Sequence, residues 1–258
     1  MRKVKTLFTA AGVVAMAALA ACGTKEAAGP LDPICAGDMG RIRFMDLITD
    51  ASRVQVNPIL EGVPFGAGLT YGQSPPSILG APSTATYAPI CAGSRALILK
   101  KTADTTVTIA TIPLTITANQ DLSVYATGGA SASAITPVFI TDDNTGTVDA
   151  THTRIRAVNM SSGGAVDVFV TAANADLSIA TPTFSNVASH TGSAYVNVTS
   201  GTYQIRVVPA GTAAAARAGA VSPNLTEVSF TGGTGRSIVV ADNNTGGTPL
   251  KGFVLADR

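Results

Sequence analysis

With 258 residues, 17 basic against 16 acidic side chains and a formal net charge of +1, the chain carries no excess charge to draw nucleic acid or a strongly anionic partner. Charged residues make up only 13% of it, while Ala, Thr, Ser, Gly and Val dominate, a composition that suits short strands joined by tight turns. Two histidines and three cysteines, none at ligand spacing from another, leave zinc chemistry unsupported.

Arg2, Lys3 and Lys5 open the chain and residues 7 to 19 are mostly apolar, the charged start and short core of an export signal. A helix needs about 20 apolar residues to span a bilayer, and this run is shorter. Leu19-Ala20-Ala21-Cys22 closes it and resembles a bacterial lipobox. That resemblance implies removal of a signal peptide, residues 1–21, lipidation of Cys22, and a membrane partner reached through the lipid. One acyl chain anchors only marginally, at about 0.8 kcal/mol per buried methylene, so the several chains of such lipoproteins matter. Gly23 implies routing to the outer membrane of a cell that has one, and cleavage leaves 14 basic against 16 acidic residues, or −2. Residues 22–33 contain two prolines and no apolar period and read as a lipidated tether. No later run reaches transmembrane length, so the body is expected to be soluble.

From there the chain is written twice. Arg41-Ile42-Arg43 returns as Arg154-Ile155-Arg156, and Val54-Gln55-Val56 returns as Val166-Asp167-Val168. Tyr87 precedes Gly93 by six residues, as Tyr195 precedes Gly201, and a strand-like run follows each glycine. The ends align without a gap when Val124 to Asp142 is laid on Val239 to Asp257. A period near 110 residues is too long for a solenoid unit and matches one sandwich domain. Two domains are therefore expected, 34–146 and 150–258, with a linker at 147–149 and a hinge around Asp143-Asn144-Thr145-Gly146-Thr147.

Within each copy, Thr106-Val107-Thr108-Ile109 and Tyr203-Gln204-Ile205-Arg206-Val207 alternate polar and apolar residues, so each lays one set of side chains on each face of a sheet. The fold expected is all-β, two tandem antiparallel β-sandwich domains of immunoglobulin-like type. Ala213 to Ala216 is the best helical candidate and, flanked by glycines, is expected to be a loop. In each Arg-Ile-Arg the isoleucine should face the core and the arginines outward. Solvated strand faces that discourage edge pairing explain those arginines, the alternative being a carboxylate partner in the contact between domains.

With Cys22 consumed by lipidation, Cys35 and Cys91 remain, each in Pro-Ile-Cys-Ala-Gly, and an oxidising compartment favours a disulfide between them. Such a bond would close a loop of about 57 residues, which the chain-entropy model values at roughly 4 kcal/mol. His152 and His190 read as loop residues, and no Gly-x-Ser-x-Gly elbow is present. No catalytic residue and no cofactor are expected. Asp142, Asp143, Asp242 and Asn244 are weak calcium candidates, since clustered oxygens on a tight loop can hold that ion. Asn, Asp and Gly are also what plain turns require. Tyr87 and Tyr195 are read as core, and the absence of Trp weakens a lectin reading.

Thr153 to Asn174, with its Arg-x-Arg strand, short turn and Val-Asp-Val-aromatic run, resembles the opening of the bacterial family of domains of unknown function numbered 4397. Tyr195 to Gly201 and Tyr203 to Val207 are similar to its following strands, and the first copy is more divergent. The resemblance implies β-sandwich modules and brings no catalytic residue. The function expected is a lipid-anchored envelope protein, not an enzyme, that serves structure or contacts with envelope proteins or glycans. The alternative is a small-ligand, glycan or calcium-binding module, with a hydrolase last.

Overall fold

A computed structural model describes residues 38–49, 55–74, 87–129 and 134–257. The export signal, the tether, Cys22 and Cys35 lie outside the described residues. The first half runs β1 (Met39–Ile48), β2 (Val56–Leu60), β3 (Val63–Pro64), β4 (Ala88–Cys91), β5 (Gly93–Lys101), β6 (Asp104–Ile116), β7 (Asp121–Gly128) and β8 (Ile135–Asp142). The second runs β9 (His152–Met160), β10 (Val166–Thr171), β11 (Phe184–Val187), β12 (Thr191–Gly192), β13 (Val196–Thr199) and β14 (Gly201–Pro209). A 3-10 turn at Ala214–Ala216, α1 (Arg217–Ala220), β15 (Asn224–Phe230), β16 (Thr234–Ala241) and β17 (Lys251–Ala256) complete it. The alanine run expected to be a loop is thus helical for about a turn. It is fixed by Arg217, which donates to the carbonyls of Leu177 and Ala180.

The strands form four sheets, ordered β4-β1-β7-β8, β3-β2-β5-β6, β12-β9-β16-β17 with β13 also on β9, and β11-β10-β14-β15. Strand order repeats between the halves. Each half has a core between its two sheets: Ile42, Phe44, Leu97, Leu99, Ile112 and Val124 in the first, and Ile155, Val168, Ile205, Val207 and Ile238 in the second. A third core joins the halves. Met45, Leu47 and Tyr125 meet Val158, Met160 and Val239, with Ile140 and Phe253 packed against them. The layers therefore stack outer, inner, inner, outer, and the described residues fall in one compact unit.

The sandwiches are not wholly antiparallel. β1 pairs with β7 and β9 with β16 in parallel. Parallel strands are characteristically covered on both faces, and these pairs lie in the two middle layers, where a sandwich core covers one side and the seam between halves covers the other. Each of β1 and β9 consequently buries both sets of its alternating side chains.

The parallel registers also correct the alignment of the two copies. Arg43 lies beside Ser123 and Arg156 beside Ser237, which sets Val124 against Ile238 and not Val239. In the antiparallel pairs, Ser123 faces Ile140 and Ser237 faces Leu255. One extra residue thus separates β16 from β17. A one-residue slip exchanges the two faces of a strand, so the ungapped alignment would have sent seam residues into the core.

The expected hinge is tied down. Arg154 donates to the carbonyls of Gly146 at 2.6 Å and Asp143 at 2.8 Å, and Asp149 accepts from the Thr151 amide and hydroxyl. A Cβ on Gly146 would stand 2.7 Å from Arg154 Cζ, so only glycine lets the guanidinium lie against the backbone here.

Candidate functional site

The outward face of each Arg-Ile-Arg strand is not a solvated surface. Arg43 and Arg156 are each 2% exposed, because the other half covers them. Alternation correctly separates these arginines from the isoleucines. It carries no information on what lies over the second face.

Four strands position the first arginine's surroundings. Arg43 Nε and Nη2 donate to Ser123 Oγ at 3.0 and 2.8 Å, and that hydroxyl donates to Asp142 Oδ2 at 2.5 Å. Tyr87, just before β4 and opposite Arg43, donates to the same Asp142 oxygen at 2.7 Å and lies 4.6 Å beneath the guanidinium. The second half repeats the arrangement: Arg156 Nε donates to Ser237 Oγ at 2.7 Å, and Ser237 and Tyr195 both donate to Asp257. The ion pairs, however, cross over. Arg43 Nη1 donates to Asp257 Oδ1 at 2.9 Å, and Arg156 Nη2 donates to Asp142 Oδ1. Each half supplies a cation to the other and a Ser–Tyr cradle for its own carboxylate.

Burial alone would push the Arg43 guanidinium below its ordinary range, but Tyr125, Tyr87, Asp257 and Asp142 together outweigh it and hold the group above that range. Arg156 is raised in the same way, against burial, by Asp142, Tyr125, Tyr195 and Asp257. The phenols of Tyr87 and Tyr195 are pushed up chiefly by burial. Both arginines are therefore permanently charged. Buried charges paired and hydrogen-bonded in this way are costly to break singly.

Beside this network a cleft of about 380 Å³ opens at the seam. Its walls are Thr141 and Asp143 from the end of β8 and just beyond, Arg154 and Arg156 from β9, and Ser193, Ala194, Tyr195 and Asn197 from the β12–β13 region. Arg154 and Arg156 approach the Tyr195 ring to 4.3 and 4.9 Å. Thr141 and Asn197 have no side-chain hydrogen bond among the described residues, so their polar groups remain available to a bound molecule.

The other residues singled out by sequence separate in space. Asp142 is buried in the ion-pair network. Asp143 accepts from the Thr145 amide and hydroxyl, and Asn243 does the same for Thr245, so each stretch forms a side-chain-capped turn. Asp242 accepts from Ser162, and Asn244 lies in the loop after β16. Among the described residues no group of three or more His, Cys, Asp or Glu is placed to hold a metal ion. His152 opens β9 with Nδ1 3.0 Å from Asp149 Oδ1, and His190 lies in a turn.

The expected Cys35–Cys91 disulfide is not retained as a feature of the described structure. Cys91 is the one cysteine among the described residues, so no disulfide joins two of them. Cys91 is itself disulfide-bonded, but its partner lies outside the described residues, as does Cys35.

Ser123, Ser237 and Asp257 were not singled out by motif. A signal existed: Asp142 and Asp257 end the two aligned segments, and Tyr87 and Tyr195 hold matching places.

A family model described as Domain of unknown function (DUF4397) matches residues 40–169, from β1 through the first half and into β10. No curated protein matches the chain. Among solved structures the chain is similar to the crystal structure of CBMbc (family CBM26) from Eubacterium rectale Amy13K in complex with maltoheptaose. The two are 12% identical, with 84% of this chain and 97% of that one covered and a TM-score of 0.23. At that score the likeness carries no argument.

Proposed function

The chain belongs to the family described as Domain of unknown function (DUF4397), and from that premise we propose that it is a non-enzymatic binding module of the cell envelope. In this reading two tandem immunoglobulin-like modules, 34–146 and 150–258, are carried on a lipid attached to Cys22 and present a polar cleft to a small ligand or glycan. The observation that carries the reading is the cleft itself. It has the size of a ligand pocket, and its free hydroxyl and amide groups stand beside a buried, hydrogen-bonded ion-pair network. Envelope placement is supported by the charged start, the apolar run and Leu19-Ala20-Ala21-Cys22. Among the described residues no helix is long and apolar enough to cross a membrane.

The crossed ion pairs favour a second role, a stiff spacer or contact element, because they weld two modules into one body. Thermal melting of the full chain with a panel of mono- and oligosaccharides separates the two. A ligand that raises the melting temperature, and loses that effect in Asn197→Trp, supports binding at the cleft. A panel without any shift leaves the spacer role.

A further inference from the structure

Resting on the reading of the cleft as a binding place, we propose that its ligand is an acidic sugar, whose carboxylate is held by Arg154 and whose hydroxyls are met by Thr141 and Asn197.

The repeat supplies the comparison. In the first half, Arg41 lies beside Asp121 across β1 and β7, and the two form an ion pair at 3.6 Å. In the second half the residue beside Arg154 is Gly235, so the acid is missing. Arg154 is nonetheless buried. Its Nη groups donate to two backbone carbonyls and its plane lies over Tyr195, partners that carry no full negative charge. The carboxylate of Asp143 is engaged by Thr145 and makes no ion pair with Arg154 among the described residues. A buried cation whose hydrogen bonds go to backbone carbonyls, with the Asp143 carboxylate acting on it through space and not in an ion pair, gains from an entering anion.

The rest of the lining selects the remainder of the ligand. Nη1 of Arg156 and the side chains of Thr141 and Asn197 have no hydrogen bonds among the described residues, and they border the cleft with Arg154. With two guanidiniums against the single carboxylate of Asp143, the lining is net positive, and its neutral donors and acceptors match a ring bearing hydroxyls and one carboxylate. A volume of about 380 Å³ exceeds what an inorganic anion needs.

Isothermal titration of the full chain in detergent micelles tests this with three probes: glucuronate, its neutral counterpart glucose, and inorganic phosphate. Glucuronate should bind saturably, and glucose about tenfold or more weakly, the worth of one charge-assisted contact. Arg154→Gln should weaken glucuronate by about tenfold or more, while Arg41→Gln leaves it unchanged. Thr141→Ala with Asn197→Ala, at exposed positions, should weaken it severalfold and keeps the test decisive if Arg154→Gln does not fold. Equal binding of glucose and glucuronate overturns the acidic assignment but leaves the cleft as a sugar site. Phosphate binding as tightly as glucuronate overturns the sugar assignment. Absence of heat with all three overturns both this proposal and the reading it rests on.

Discussion

Arg43 of β1 donates to Asp257, 214 positions later in the chain, and its counterpart Arg156 donates back to Asp142, so the two halves exchange cations across their seam. Breaking one partner of such a buried pair strands the other. Asp257→Asn should therefore lower stability by about 3–5 kcal/mol, and Asp142→Asn by a similar amount. Replacing both members, as in Arg43→Met with Asp257→Leu, should cost less than either single change. Urea unfolding followed by circular dichroism measures each of these, with Arg43→Met and Asp257→Leu made singly as well, and a double variant as damaged as the sum of its singles would argue against the pairing.

Asp46 of β1 faces the first core at the place where β9 carries Asn159. Each accepts an amide two residues on, from Ile48 and Ser161, both at 3.0 Å, while Asn159 also donates to the carbonyls of Gly164 and Val187. Burial pushes the Asp46 carboxyl from 3.8 up to about 7, with the Ile48 amide opposing. Because the folded state holds the proton more tightly, this group favours folding below about pH 4 relative to high pH, and that advantage is lost as pH rises through about 7. Asp46→Asn should thus stabilise the protein above pH 7, by up to about 4 kcal/mol, and gain little near pH 4. An equal gain at pH 4 and pH 8 would contradict the assignment.

Tyr125 is buried at the seam, near Ser123, and its hydroxyl makes no hydrogen bond of ordinary geometry among the described residues. An unsatisfied buried hydroxyl is costly, so Tyr125→Phe should leave the packing intact and raise stability by about 1 kcal/mol. A loss of similar size in thermal melts would show that the hydroxyl is engaged.

Gly72 is doubly constrained. Its φ is +87°, and a Cβ there would stand 2.4 Å from Phe253 Cε1 on the other side of the seam. Gly72→Ala should cost at least about 1–3 kcal/mol, and adding Phe253→Ala should relieve the clash but not the backbone strain. A double-mutant cycle showing no coupling between the two positions would remove that contact.

Much of this architecture is legible in the chain because duplication writes it twice. Arg-Ile-Arg, the Tyr to Gly spacing and the strand after each glycine all occupy matching places in the two halves. The seam is harder to read. Period-2 alternation distinguishes the two faces of β1, but burial of the second face depends on a sheet more than 100 residues away. Composition likewise does not separate parallel from antiparallel pairing, so β1–β7 and β9–β16 went unforeseen. The extra residue between β16 and β17 hides where runs of Val and Ile align equally well in either register. Arg154 shows what the comparison of halves adds, since only the strand register reveals that Gly235 replaces the acid beside Arg41.

Calorimetric melting of the full chain asks whether the crossed pairs make one body of two halves. A single transition, with calorimetric and van't Hoff enthalpies in a ratio of about 1, is the outcome the shared seam requires. Two resolved transitions, one lost when Phe44 is truncated and the other when Val168 is, would mean that each half melts alone and that the seam does not join them.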